Sequence, residues 1–319
     1  MEMFQEVSLM LESEFIASLI AASMRAGTPL LFATLGEIIT ERSGVLNLGL
    51  EGVMITGAMV GFYFSYVTGN PWIGILAGGF AGLLLAMVHA FFTVTLKVDQ
   101  AVTGLMLVLF GLGITGFLGR GLVGEVASYL QPVKLPLLSE IPYIGTAVFS
   151  HDPLVYIGIL IVPLLWFFMN KTRYGMELYA VGENPEAADT VGISVDRIRF
   201  IAVLTGGFLV GIAGAHLSLA YAKVWTDGLT AGRGWICLAL VIFSGWMPQR
   251  AIFGAYLFGG LDVLSFKLQA AGLGVSYHFM RMVPYIFTIL VLLFSVIRER
   301  EKFGAPSALG KPYIREQKY

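Results

Sequence analysis

Long apolar runs separated by short polar stretches recur along the whole chain. A helix needs about 20 apolar residues to cross a hydrocarbon core of about 30 Å. Runs approaching or exceeding that length cover residues 15–36, 45–67, 72–95, 100–119, 153–169, 199–222, 233–247, 251–270 and 283–297. The 153–169 and 233–247 runs are short, so the pattern predicts an all-α polytopic membrane bundle of about eight to ten transmembrane helices. Two connecting stretches are long enough to do more than connect. Residues 120–152 contain Pro132, Pro136 and Pro142, which suits a cap or docking surface. In residues 170–198, Asn184 precedes Pro185, and this N-cap and N1 pair predicts a short helix from Pro185 to Thr190. Within the spans, Gly57 and Gly61, Gly74 and Gly78, and Gly207 and Gly211 are spaced four apart. Small residues at that spacing let helix backbones approach closely.

One stretch departs from the apolar pattern. GVLNLGLEGVM, Gly44 to Met54, opens the second run with three glycines, Asn47 and Glu51. On a helix Asn47 and Glu51 would share a face, while Gly44 and Gly52 weaken that helix at both ends. A discontinuous helix near residues 44–52 follows, facing the bundle interior, because irregular backbone survives in lipid only when protein or a water-filled cavity surrounds it. An ionisable group there needs a partner, and Arg42 is available to Glu51, Glu37 or Glu41. Three roles stay open for the cluster: a structural clamp, a lining of the transport route, or proton coupling. Asp262 is a second carboxylate within an apolar run, with Lys267 or Arg281 as its expected partner. Tyr221, Trp225 and Trp235 flank a glycine-rich turn, which fits either an interfacial aromatic belt or substrate contact.

Composition strengthens the membrane reading. Hydrophobic residues make up 57% of the 319, charged residues 13%, and mean hydropathy is +0.80. A soluble domain carries about 25% charge. Nothing suggests a nucleic-acid partner. The histidines, His89, His151, His216 and His278, have no metal-binding spacing, and the single Cys237 sits in an apolar run as a packing residue. If residues 170–198 are cytoplasmic, alternation places 13 of the 20 lysines and arginines inside, including those of the tail 298–319, and 6 outside. That bias favours an outside N-terminus, an external 120–152 loop and an inside C-terminus. The first 14 residues hold four glutamates and no lysine or arginine, so they lack the basic region of a cleavable signal peptide, and the N-terminus is expected to be retained. No glycine-rich Lys-Ser/Thr phosphate loop occurs, and no nucleophile and base recur together, so the chain reads as a non-enzyme.

Three runs in order carry a resemblance: GEIITERSGVLNLGLEGVMITGA (36–58), RYGMELYAVGENPEAADTVGI (173–193) and AGRGWICLALVIFSGWMPQRAIFGAYLFGG (231–260). Together they resemble the inner-membrane permeases of ABC importers in the branched-chain amino acid, ribose and nucleoside group, closest to its nucleoside and simple-sugar branch. The resemblance covers roughly residues 14–300. It implies a type II importer-like fold and a multi-pass permease subunit in the cytoplasmic membrane, moving nucleosides or, alternatively, ribose-type simple sugars. It also implies that Glu183, Asn184, Pro185, Glu186, Ala187, Ala188 and Gly192 form a coupling helix for a separate cytoplasmic ATPase, which would hold the ATP and Mg. Asn47, Glu51, Tyr221 and Trp225 would lie along the translocation route. A second, related permease chain and an external substrate-binding lipoprotein would complete the assembly. His216 and Lys223 depart from the uncharged, aromatic-rich face expected around AGAHLSLAYAKVW. An ion-driven carrier using Glu51 or Asp262 is the rival reading, although it has no need of a coupling loop.

Overall fold

The computed structural model describes residues 2–134, 136, 138–270, 282–283, 286, 289–290, 293 and 304–315. Its helices follow the apolar runs. They are α1 (Glu2–Arg42), α2 (Leu50–Thr68), α3 (Pro71–Ala90), α4 (Gln100–Leu118), a single turn α5 (Ile144–Val148), α6 (Pro153–Lys171), α7 (Arg173–Glu183), α8 (Pro185–Thr190), α9 (Val195–His216), α10 (Arg233–Ser244) and α11 (Pro248–Ala270). Two of them end in widened π turns, α3 through Phe91–Thr95 and α9 through Leu217–Tyr221. A two-residue antiparallel ladder, Val133–Lys134 with Ser150–His151, folds the 120–152 loop back on itself.

Among the described residues, seven helices are long and apolar enough to cross a membrane. The 153–169 run is a full span, Pro153–Lys171. The 233–247 run is instead the 12-residue α10, which at about 1.5 Å per residue is roughly 18 Å long. The 283–297 run falls, apart from a few positions, outside the described residues. So do Arg281, His278 and the tail positions Arg298, Arg300, Lys302 and Lys318.

The interior has two kinds of contact. α2, α3 and α9 approach closely along glycines: a Cβ on Gly78 would lie 2.6 Å from the Gly57 carbonyl oxygen, and one on Gly211 would collide with that of Gly78. The four-residue spacings in the sequence therefore form one continuous three-helix seam. Around it, α1, α2, α9 and α10 bury Leu31, Leu35, Ile38, Leu50, Met54, Cys237 and Leu240 completely.

Candidate functional site

Between α1 and α2 the chain runs as a non-helical segment, Ser43–Gly49, enclosed by protein. Its backbone polar groups need partners there, and side chains from four helices supply them. Glu37 on α1 accepts from the Asn47 amide at 3.1 Å. Gln100, in the first turn of α4, accepts from the Leu46 amide at 2.7 Å, and His89 on α3 donates through Nε2 to the Leu46 carbonyl at 3.1 Å. Arg199 on α9 donates to the Ser43 carbonyl at 3.2 Å. Asn47 Oδ1 accepts from the Gly49 amide at 2.9 Å, a local turn that leads into α2. The predicted discontinuity is thus present, but Asn47 lies in the break and Glu51 lies in α2. They do not share a helix face, because the side chain of Asn47 satisfies a turn in place of helical hydrogen bonds.

Glu51 caps the short helix α10. One carboxylate oxygen accepts from the Thr230 hydroxyl at 2.5 Å and the Gly232 amide at 2.9 Å, and the other accepts from the Gly234 amide at 2.7 Å. A helix N-terminus has unpaired N–H groups and partial positive charge, so a carboxylate there answers both. The approach requires Gly234, where a Cβ would lie 2.5 Å from the Glu51 Cα. At the other end of α10, Arg42 donates to the carbonyls of Gly245 at 3.2 Å and Trp246 at 3.3 Å. Arg42 therefore serves the helix C-terminus and is hydrogen-bonded to none of the three glutamates considered for it. Glu41 instead accepts from the Trp246 indole at 2.5 Å. One short helix is held at both ends by charges flanking one break. Asn47 and Glu51, 2% and 6% exposed, have the geometry of a clamp.

The other sequence candidates are placed differently. Trp225 is buried and donates to the Gly119 carbonyl at 2.8 Å, so it is not part of an interfacial belt, and it lines a cavity of about 250 Å³ with Thr115 and Asp227. Trp235 is exposed on α10. Tyr221 is half-buried, with the Arg233 guanidinium 5.6 Å from its ring centre. Asp262 pairs with that same Arg233 at 2.9 Å, not with Lys267. Tyr221 also lines a cavity of about 560 Å³, with Arg25, Asp152, Lys223, Phe266 and Lys267. Asp152 caps α6 through the Leu154 amide and lies 3.2 Å from His216 Nε2. Burial pushes its carboxyl pKa upward, but His216 and the Leu154 amide outweigh this and hold it below the ordinary value. This accounts for His216 in a face expected to be uncharged: it partners a buried carboxylate. Among the described residues no group of three His, Cys, Asp or Glu side chains could hold a metal ion.

At the α8 end, Asn184 Oδ1 accepts from the Ala187 amide at 2.9 Å, and Pro185 occupies the first turn. Glu186 and Ala187 are exposed, whereas Ala188 packs with Val181 and Val195. Gly192, at φ +86°, turns the chain toward α9. Glu183 is engaged within the chain, accepting from the Ser307 hydroxyl at 2.9 Å. Nothing in the sequence marks Gln100, Arg199 or His89 as partners of the break. Their shared signal is a polar residue near the end of an apolar run, which does not say what it meets.

Residues 19–296 match the family described as branched-chain amino acid transport system / permease component. A putative glucose ABC transporter permease protein of Haloferax volcanii is 43% identical, across 95% of this chain and 99% of its own length. A nucleoside ABC transporter permease protein of Lactococcus lactis subsp. cremoris is 36% identical, across 94% of this chain and 97% of its own. A guanosine ABC transporter permease protein of Bacillus subtilis is 34% identical, across 95% and 98%. With seven apolar spans among the described residues and these relatives along nearly its whole length, the chain belongs to this permease family and is a multi-pass membrane subunit of an ABC transporter.

Proposed function

We propose that this chain is the permease subunit of an ATP-driven importer for nucleosides, with α8 as the element that a separate cytoplasmic ATPase moves. The observation that carries the coupling role is the seating of α8. It is a capped helix whose Glu186 and Ala187 face outward, on a segment that reaches the α10 clamp through α7. Gly182 on α7 packs on the Arg42 backbone, and the Arg42 guanidinium lies 4.8 Å from the centre of the Tyr179 ring. A push on α8 thereby reaches the side chain that caps α10. In this reading Glu51 caps α10 beside the route, Asn47 turns the chain into α2, and Tyr221, which lines the 560 Å³ cavity, touches the solute. ATP and Mg belong to the ATPase, a second related permease chain completes the route, and an external substrate-binding lipoprotein delivers the cargo. Simple sugar is the second reading, favoured by the 43% identical relative named for glucose.

Uptake of labelled nucleoside and of labelled glucose into vesicles containing the assembled transporter separates the two cargoes. Glu186→Lys should abolish uptake and weaken ATPase co-purification while leaving membrane insertion intact, because α8 is surface material. Normal transport by this variant would overturn the coupling role, and uptake that ignores ATP but collapses with the proton gradient would replace it with an ion-driven carrier.

A further inference from the structure

The tail after the last apolar run does not hang free of the bundle. Residues 304–315 lie across the α7–α8 segment and the α1–α2 break together. On one side, the Ala308 amide donates to the Gly182 carbonyl at 2.9 Å, and Ser307 meets Glu183 through both its hydroxyl and its amide. Arg315 pairs with Asp189 of α8 at 3.0 Å, and Tyr313 packs against the cluster of Val181, Ala188 and Val195. On the other side, the Gly310 amide donates to the Gly44 carbonyl at 3.1 Å. Arg199 ties the tail to the break, donating to the Ser43 carbonyl at 3.2 Å and to the Lys311 carbonyl at 3.0 Å.

This junction is built to close spacing. Gly44 sits at φ +88°, and a Cβ there would lie 2.8 Å from the Arg199 guanidinium and 3.3 Å from the Ala308 carbonyl oxygen. Pro306 and Ala308 are buried although the stretch has no regular secondary structure. Four of these contacts use tail backbone groups, the amides of Ser307, Ala308 and Gly310 and the carbonyl of Lys311, which are directional and fixed in register, whereas the Arg315 pair is exposed and weak.

We infer that the C-terminal segment Pro306–Arg315 is a coupling strap: it fastens α8 to the α1–α2 break, so that movement of α8 is delivered to the break and to the α10 clamp built on it. The inference rests on the reading of α8 as the ATPase contact. The strap adds a second line from α8 to the break, alongside the contact of α7 with Arg42. Its contacts hold α8 to the bundle, and Glu186 and Ala187 stay outward for the partner.

Two variants of the full transporter test the strap. One chain ends at residue 303, and the other carries Ala308→Pro, which removes the amide donated to Gly182 in a buried site. With the strap cut, ATPase co-purification should stay within about twofold of wild type, while uptake and the stimulation of ATP hydrolysis by the loaded binding protein fall about tenfold, the size of a typical coupling between sites. Uptake and stimulation within about twofold of wild type in both variants would overturn the inference. So would loss of ATPase association along with uptake, which would make the tail a docking element, or failure of both variants to insert, which would make it a folding element. Failure of the α8 reading shows separately, as intact ATPase association in Glu186→Lys with the tail untouched.

Discussion

The α2–α3–α9 seam and the α1–α2–α10 junction address the same physical problem in opposite ways. Both bring backbones together inside a bundle where the hydrophobic effect offers helices little reason to prefer each other over lipid. The seam removes side chains, so that Gly57, Gly78, Gly211 and their neighbours leave backbone against backbone. The junction adds polar side chains: Glu37, Gln100, His89 and Arg199 answer backbone groups of the break, and Glu51 and Arg42 answer those at the two ends of α10. Close packing of this kind has one good arrangement, because any shift opens a void or a collision. Hydrogen bonds to a few charged side chains can be exchanged for others, and conformational change in packed proteins is carried by such discrete alternatives. The comparison assigns rigidity to the seam and movement to the junction.

Gly211→Leu should break the comparison on its rigid side and have the largest effect. The new side chain would meet the Gly78 carbonyl and the backbones of Gly79 and Gly82. Backbone cannot yield as a flexible side chain does, so the destabilisation should exceed the roughly 1–3 kcal/mol usual for overpacking. Size-exclusion chromatography in detergent should show little monodisperse protein, and a normal yield would mean that the seam is loose. Glu51→Leu comes next. It leaves the Thr230 hydroxyl and the amides of Gly232 and Gly234 without their acceptor, at about 1–3 kcal/mol for each donor left buried and unpaired. Thermal melting should drop clearly, with Glu51→Gln intermediate because an amide keeps only one acceptor oxygen. If both variants melt with wild type, α10 is not held through Glu51. Arg233→Ala sharpens the comparison from its weak end: the pair with Asp262 is partly exposed, and such pairs contribute about 0.2–1 kcal/mol. A melting point insensitive to both the substitution and added salt fits that place, whereas a large loss would make this pair part of the clamp.

The sequence exposed most of what depends on neighbours along the chain. The apolar runs gave the spans, the glycine spacings gave the seam, and Asn184 with Pro185 gave α8, because caps and helix periods are local. What it hid was reach. Glu51 meets Thr230 and Gly234 about 180 residues away, and Arg42 ends on two backbone carbonyls, which leave no side-chain mark in a sequence. The natural pairing of Arg42 with a nearby glutamate was misleading for that reason, as was the pairing of Asp262 with Lys267, five positions along. Trp225 shows why burial was hidden too: an aromatic residue beside a glycine-rich turn looks alike at a lipid interface and in a buried site. The tail offered only its charges, and nothing in them foretold that its backbone would be used.

The short length of α10 has a consequence for the path of a solute. Its roughly 18 Å leave about 12 Å of a 30 Å hydrocarbon layer unspanned. Arg42 holds the C-terminal end next to α7, so the missing length lies on the face of the membrane away from α8. There the chain from Ala222 to Gly232 runs without a regular helix and carries the exposed Thr226 and Asp227. Water can follow such polar groups downward, and the insulating part of the barrier narrows to about the height of the helix itself. On the proposed route beside α10, a cargo arriving from that face would lose its hydration over a shorter distance, next to the element that the two charges hold in place.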